Sequence, residues 1–198
     1  VANALNTAFG KGTFEIRKVE IIGPKIGKDL TNKALSAIFF SWIGILIYVT
    51  WRFEFRYAVG GILALVHDTI ITVGALSLMN KEFTLTIVAA LLTIIGYSIN
   101  DTIVIFDRIR ETARKNIRQS LREIINNSIN QTLSRTILTS LTVFLVLLAL
   151  FFLGGEVLHD FAFALLVGVV VGSYSTVFIA SPIVLAWEKI RPSKIKRK

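Results

Sequence analysis

Residues 136–153 read TILTSLTVFLVLLALFFL, a run without a single charge. As an α-helix rising about 1.5 Å per residue it reaches about 27 Å, close to the ~30 Å hydrocarbon core of a bilayer. Four further stretches have the same character: 34–51, 57–79, 83–106 and 161–187. Of the 198 residues, 54% are hydrophobic and 18% charged, with a mean hydropathy of +0.67. That excess over an average soluble domain is modest. What decides the class is that the charges cluster between five nearly uncharged runs. A disordered chain, a soluble nucleic-acid binder and a disulfide scaffold are excluded. The absence of cysteine rules out thiolate metal sites. The expected fold is an all-α polytopic membrane helix bundle.

The net charge of +9 then belongs to loops rather than to a nucleic-acid surface. Arg108, Arg110, Arg114, Lys115, Arg118 and Arg122 lie between the third and fourth runs. Lys189, Arg191, Lys194, Lys196, Arg197 and Lys198 follow the fifth, and Arg52 and Arg56 separate the first two. With alternating spans, all three groups share one side. The other side has Lys81 in one loop and no Lys or Arg over 154–160. The positive-inside rule makes the basic side cytosolic, the C-terminus included, and puts 1–33 outside.

Outside the spans, 13–22 reads as a strand, with Phe14, Ile16, Val19 and Ile21 alternating imperfectly with charged residues, ended by Gly23-Pro24. A strand without partners, and a start at Val1 without a leader, suggest a piece of a larger protein. The expected organisation is therefore 1–32 as the end of an exported domain, 33–187 as a five-span bundle and 188–198 as a basic tail. Within 107–131, Ile109, Ala113, Ile117, Leu121, Ile124 and Ile125 recur at helical spacing, with Arg110, Arg114, Arg118 and Arg122 on another face. This pattern predicts one basic amphipathic helix against anionic lipid headgroups. Gly168 and Gly172, with Gly60, Gly61, Gly74 and Gly96, are candidates for close helix approach.

The ionisable residues inside the spans carry the functional signal, because charges in hydrocarbon are costly and tend to be paired, neutralised or functional. Asp101 interrupts the third run within Gly96-Tyr97-Ser98-Ile99-Asn100-Asp101-Thr102. An acid that is costly to ionise yet reachable by water can exchange protons. Arg135, opening the fourth run, is the natural counter-charge; snorkelling to the interface is its structural alternative. His67 and Asp68 lie mid-way along the second run, about 100° apart on a helix and so not facing each other. They fit either a proton relay or two satisfied interhelical hydrogen bonds. The hydroxyls of Ser173, Tyr174, Ser175, Thr176 and Ser181, and of Thr136, Thr139 and Ser140, either bond their own backbones or line a water file near Asp101. No phosphate-binding glycine loop appears, and no nucleophile–base set. Neither ATP-driven work nor hydrolysis is expected, and no cofactor beyond protons as coupling ion.

Four blocks in order, GPKIGKDL at 23–30, ALVHD at 64–68, GYSINDTIVIFDRIRE at 96–111 and NQTLSRT at 130–136, strongly resemble the SecF branch of the SecD/SecF family, protein-export membrane subunits related to RND transporters. The resemblance covers about 14–187. It implies that the five runs are the second to sixth of six spans, with 13–22 the last strand of an exported domain. It implies pairing with SecD in the inner membrane beside the SecYEG channel, with YajC and YidC as further neighbours. It implies use of the proton-motive force to draw unfolded polypeptide outward. The family's intramembrane acid maps onto Asp101 and its essential basic residue onto Arg135; His67 and Asp68 match a family pattern of less defined role. A passive scaffold subunit, and an RND-type efflux fragment, are the competing readings.

Overall fold

The structure, a computed structural model, describes Gly10 and residues 24–116 and 118–190. Contacts divide the chain into Val1–Lys33 and Ala34–Lys198, and the packing below is that within the second unit. The helices are α1 (Pro24–Arg52), α2 (Phe55–Leu78), α3 (Leu85–Lys115), α4 (Leu121–Leu153) and α5 (Gly155–Ser175), continued by a π turn (Thr176–Ala180) into α6 (Ser181–Ile190). Among the described residues, five segments are long and apolar enough to cross a membrane: Thr31–Arg52, Phe55–Leu78, Leu85–Lys115, Leu121–Leu153 and Gly155–Ile190. The strand expected over 13–22 lies outside the described residues.

Local chemistry sets the boundaries. Proline suits the first turn of α1, where its missing N–H has no helical partner. Asn80 leaves α2 at φ 51°, which asparagine tolerates. The Thr84 side chain caps α3 by accepting from the Ile87 N–H. Between α4 and α5, Gly155 takes φ +71°, and a Cβ on Gly154 would lie 2.4 Å from the Leu150 carbonyl oxygen. The π turn precedes Pro182, which cannot donate to the Phe178 carbonyl four residues back.

The single amphipathic helix expected over 107–131 is corrected by the structure. α3 runs on to Lys115, Asn116 leaves helical geometry at φ −117°, ψ 69°, and a new helix starts at Leu121. Ser120 and Glu123 form a reciprocal capping box that starts α4. The 107–131 segment is thus the polar end of one long helix and the polar beginning of the next.

The core is built by α2, α3 and α5 with the π turn, around Leu65, Ile87, Leu91, Ile94, Ile105 and Phe106. Two glycine contacts set the spacing. A Cβ on Gly168 would fall 2.3 Å from Ile94 Cδ1, and one on Gly60 would fall 2.9 Å from the Ala180 carbonyl oxygen. Gly74 and Gly96, also expected at close contacts, face open space. The helix ends alternate as expected. Arg110 Nη1 donates to the Arg52 carbonyl oxygen at one end, where Arg56 also pairs with Glu188. Lys81 pairs with Asp160 at 2.8 Å at the other.

Candidate functional site

Three of the four sequence candidates sit on helices of the packed core, but they form two centres rather than one. α3 separates the two centres. Residues 98 and 102 are one turn apart and face α2 and α5; Asp101 is turned from them by about 60° and 100° round the same helix.

Asp68 is 1% exposed and forms the first centre. Its Oδ2 accepts from Ser98 Oγ of α3 at 2.6 Å and from Ser175 Oγ of α5 at 2.8 Å. Its Oδ1 lies 3.1 Å from His67 Nδ1. The expectation that these neighbours do not face each other is therefore corrected: the side chains bend together although their Cα–Cβ bonds diverge. Gly172 makes the room, since a Cβ there would stand 3.1 Å from Ser98 Cβ and 3.7 Å from Asp68 Oδ2. One turn along α3, the Thr102 and Thr176 hydroxyls meet at 3.0 Å, tying α3 to the first residue of the π turn. Thr176 Oγ1 also donates to the Gly172 carbonyl, and Ser181 Oγ to the Thr176 carbonyl.

Asp101 forms the second centre and is 6% exposed. Its Oδ2 has no hydrogen-bond partner among the described residues, and the same holds for the buried Tyr97 OH one turn earlier. Arg135 on α4 is exposed and acts on Asp101 electrostatically, but the two form no ion pair among the described residues. Ser140, also on α4, influences both Tyr97 and Asp101, while its Oγ bonds Ser173 Oγ of α5 at 2.7 Å. Thr136 Oγ1, one turn before Ser140, is a third buried polar atom without a partner. Unsatisfied buried polar atoms are rare in native structures, and three of them lie on α3 and α4.

Behind Ser140 lies an open groove of about 740 Å³, walled mostly by apolar side chains of α4, α5 and the π turn, with Thr136, Ser140, Ser173 and Tyr174 among its lining. At the basic end of α3, Arg135 joins Arg52, Asp107, Arg108 and Glu111 around a smaller cavity of about 360 Å³. Among the described residues, no three His, Asp or Glu side chains gather as metal ligands do. Most hydroxyls noted in the sequence bond their own helix backbones or Asp68 rather than Asp101. The role of Ser98 and Ser175 as partners of Asp68 was not legible in the sequence. The only signal was that both sit in polar interruptions of apolar runs.

Comparison with known proteins places this geometry. Residues 1–190 match the family described as "Protein export membrane protein SecD/SecF, C-terminal". The protein translocase subunit SecF of Magnetococcus marinus is 55% identical over 93% of this chain and 60% of its own length. That of Koribacter versatilis is 52% identical over 96% of this chain and 47% of its own length. The chain thus spans about half the length of these relatives. The crystal structure of SecDF from Thermus thermophilus, a translocon-associated membrane protein, superposes with a TM-score of 0.80 at 50% identity, over 84% of this chain and 23% of that one. SecDF in its super-membrane-facing form superposes with a TM-score of 0.78 at 42% identity, over 96% of this chain and 26% of that one. Five apolar helices in the same arrangement, with this sequence match along nearly the whole chain, make it a multi-pass membrane protein that belongs to the SecD/SecF family of protein-export membrane proteins.

Proposed function

We propose that this chain is the membrane portion of a SecF-type subunit that couples proton entry to late steps of protein export, in the inner membrane and beside a SecD partner. Asp101 is the proton-carrying acid and Arg135 the fixed counter-charge. The observation that carries this is the state of Asp101: buried, one carboxylate oxygen unpartnered, and a permanent cation on the next helix that acts on it without closing an ion pair. An acid whose only task was to fasten two helices would have both oxygens satisfied by hydrogen bonds. That contrast disfavours the alternative, a passive scaffold subunit. A carboxyl that gains or loses attraction to a nearby cation as it loses or gains a proton is a two-state element. One proton crossing about 100 mV supplies ~2.3 kcal/mol, enough to bias states a few kcal/mol apart.

The basic ends gathered by Arg52, Arg110, Arg114 and Lys115 fit a cytosolic face in contact with anionic lipid, and with it a cytosolic C-terminus. The SecYEG channel, with YajC and YidC nearby, and an unfolded exported polypeptide are the partners this reading requires. The test is export from cells or vesicles carrying Asp101→Asn or Arg135→Ala in the full-length protein. The reading expects loss of proton-dependent export with the complex still assembled. Normal export by a verified Asp101→Asn strain would end it.

A further inference from the structure

The dipeptide His-Asp occurs twice in this chain, and the two copies have opposite surroundings. His159 and Asp160 are both more than a third exposed, and Lys81 pairs with the acid. His67 and Asp68 lie mid-way along α2 in the packed bundle, with the acid sealed and the imidazole 29% exposed. Among the described residues, the groups bonded to the Asp68 carboxylate are two neutral hydroxyls, Ser98 and Ser175, and the His67 ring. No Lys or Arg among the described residues shares it.

We infer that His67 and Asp68 form a second proton-holding site, separate from Asp101, which stores one proton as a buried imidazolium–carboxylate pair. With Asp68 ionised, its three contacts are all donors: Ser98 and Ser175 to Oδ2, and His67 Nδ1–H to Oδ1. Nδ1 is turned to the acid, so the incoming proton binds His67 at Nε2. No other bond forms or breaks, and release reverses the step. Uptake changes the pair from a net charge of −1 to zero. In a low-dielectric interior, a neutral, hydrogen-bonded ion pair is preferred to an unbalanced anion.

Among the described residues, the surroundings supply no rival cation. The titratable groups on elements packed against this part of α2 are Tyr97 and Asp101 on α3 and Tyr174 on α5. The Tyr174 ring centroid stands 6.5 Å from that of His67. Arg56, Glu54 and Glu188 gather at the start of α2, about 18 Å away along the helix. Lys81 is held by Asp160 beyond the other end. Tyr174 also lines, with Ser140, the open groove between α4 and α5. The clamp gives occupancy a mechanical consequence, because Asp68 holds α3 to α5 at the residue preceding the π turn, and such turns are frequent at functional sites.

The test uses the full-length protein in its membrane complex, labelled with ¹⁵N-histidine in lipid vesicles, with His67→Gln and His159→Gln assigning the signals. The ring nitrogens report directly how much of His67 is doubly protonated as pH is varied. Asp68→Asn keeps an acceptor for both serines but removes the charge. The proposal expects the proton-binding constant of His67 to fall at least tenfold in Asp68→Asn, while that of His159 is unmoved. An unchanged constant, or a His67 that stays neutral in the wild type at every pH, overturns it. Should Asp68→Asn not assemble, the Ser98→Ala/Ser175→Ala variant keeps the carboxylate and removes two of its donors. The pair should then hold its proton more tightly, and no change overturns the proposal. Asp101→Asn should leave the His67 signal as it is. Export in that same variant is read separately, so failure of the export reading is distinguishable from failure of this one.

Discussion

Ser98 Oγ donates to Asp68 Oδ2 at 2.6 Å, while Asp101, three residues further along the same helix, keeps a buried carboxylate oxygen without a partner. One helix therefore presents a satisfied polar contact on one face and an unsatisfied acid on the next. The first holds α2, α3 and α5 together. The second lies at the seam with α4, the most exposed of the five long helices. In hydrogen bonding, then, the side of α3 toward α2 and α5 is firm and the seam with α4 is loose.

Gly168→Ala tests the firm side. The new Cβ would lie 2.3, 2.4 and 2.9 Å from three different atoms of Ile94, so turning one side-chain end cannot clear it. Overpacking of this kind costs about 1–3 kcal/mol. Thermal unfolding in detergent should show that loss, partly recovered by adding Ile94→Ala. Gly74→Ala and Gly96→Ala meet no atoms and should show none.

Much of this architecture was legible in the sequence, because an apolar run long enough to span a bilayer permits few alternatives. All five runs became helices, but α3 and α4 extend well beyond them. α3 ends nine residues past Phe106, and α4 starts fifteen residues before Thr136. Apolarity marks where lipid is, whereas backbone hydrogen bonding continues into water wherever caps permit. The break between Lys115 and Leu121 contains neither Gly nor Pro, and the hydrophobic period is similar on both sides of it. The Ser120-x-x-Glu123 signature was the readable sign of a new helix start. The Asp68 centre was out of reach for a different reason. Its partners lie 30 and 107 residues away, and spacing along one helix does not say which faces of three helices converge.

The Thr102–Thr176 contact should be worth little alone. Interhelical hydrogen bonds in membranes average about 0.6 kcal/mol. Thr176→Val and Thr102→Val should each cost roughly that much in unfolding free energy. The double variant should cost less than their sum, because the hydroxyls meet each other at 3.0 Å. Strict additivity would show that the contact is not made in the membrane.

Arg56 should matter more. It is 6% exposed, pairs with Glu188 through Nη1 and with Glu54 through Nε at 3.0 Å, and its guanidinium stands 5.1 Å from the Tyr57 ring centroid. Removing one partner of a buried ion pair strands the other and costs about 3–5 kcal/mol. With Glu188 22% exposed, Arg56→Met should fall at the low end. Neutralising the stranded acid in Arg56→Met/Glu188→Gln should return part of the loss in the same unfolding assay. A double variant less stable than Arg56→Met would show that the acid is not stranded.

Tyr97→Phe separates stability from function at the loose side. The Tyr97 hydroxyl is buried with only the Ser140 hydroxyl bearing on it, so deleting it removes a desolvation cost and at most one weak hydrogen bond. Unfolding temperature should therefore hold or rise slightly. The hydroxyl also stands on the Asp101 face one turn away, within the influence of Ser140. If protons reach Asp101 along this seam, the same variant should lower proton-dependent export while the protein becomes no less stable. Loss of stability would mean that the hydroxyl is bonded in the membrane. Unchanged stability with unchanged export would take Tyr97 off the route and leave Ser140 and the groove behind it as the approach to the acid.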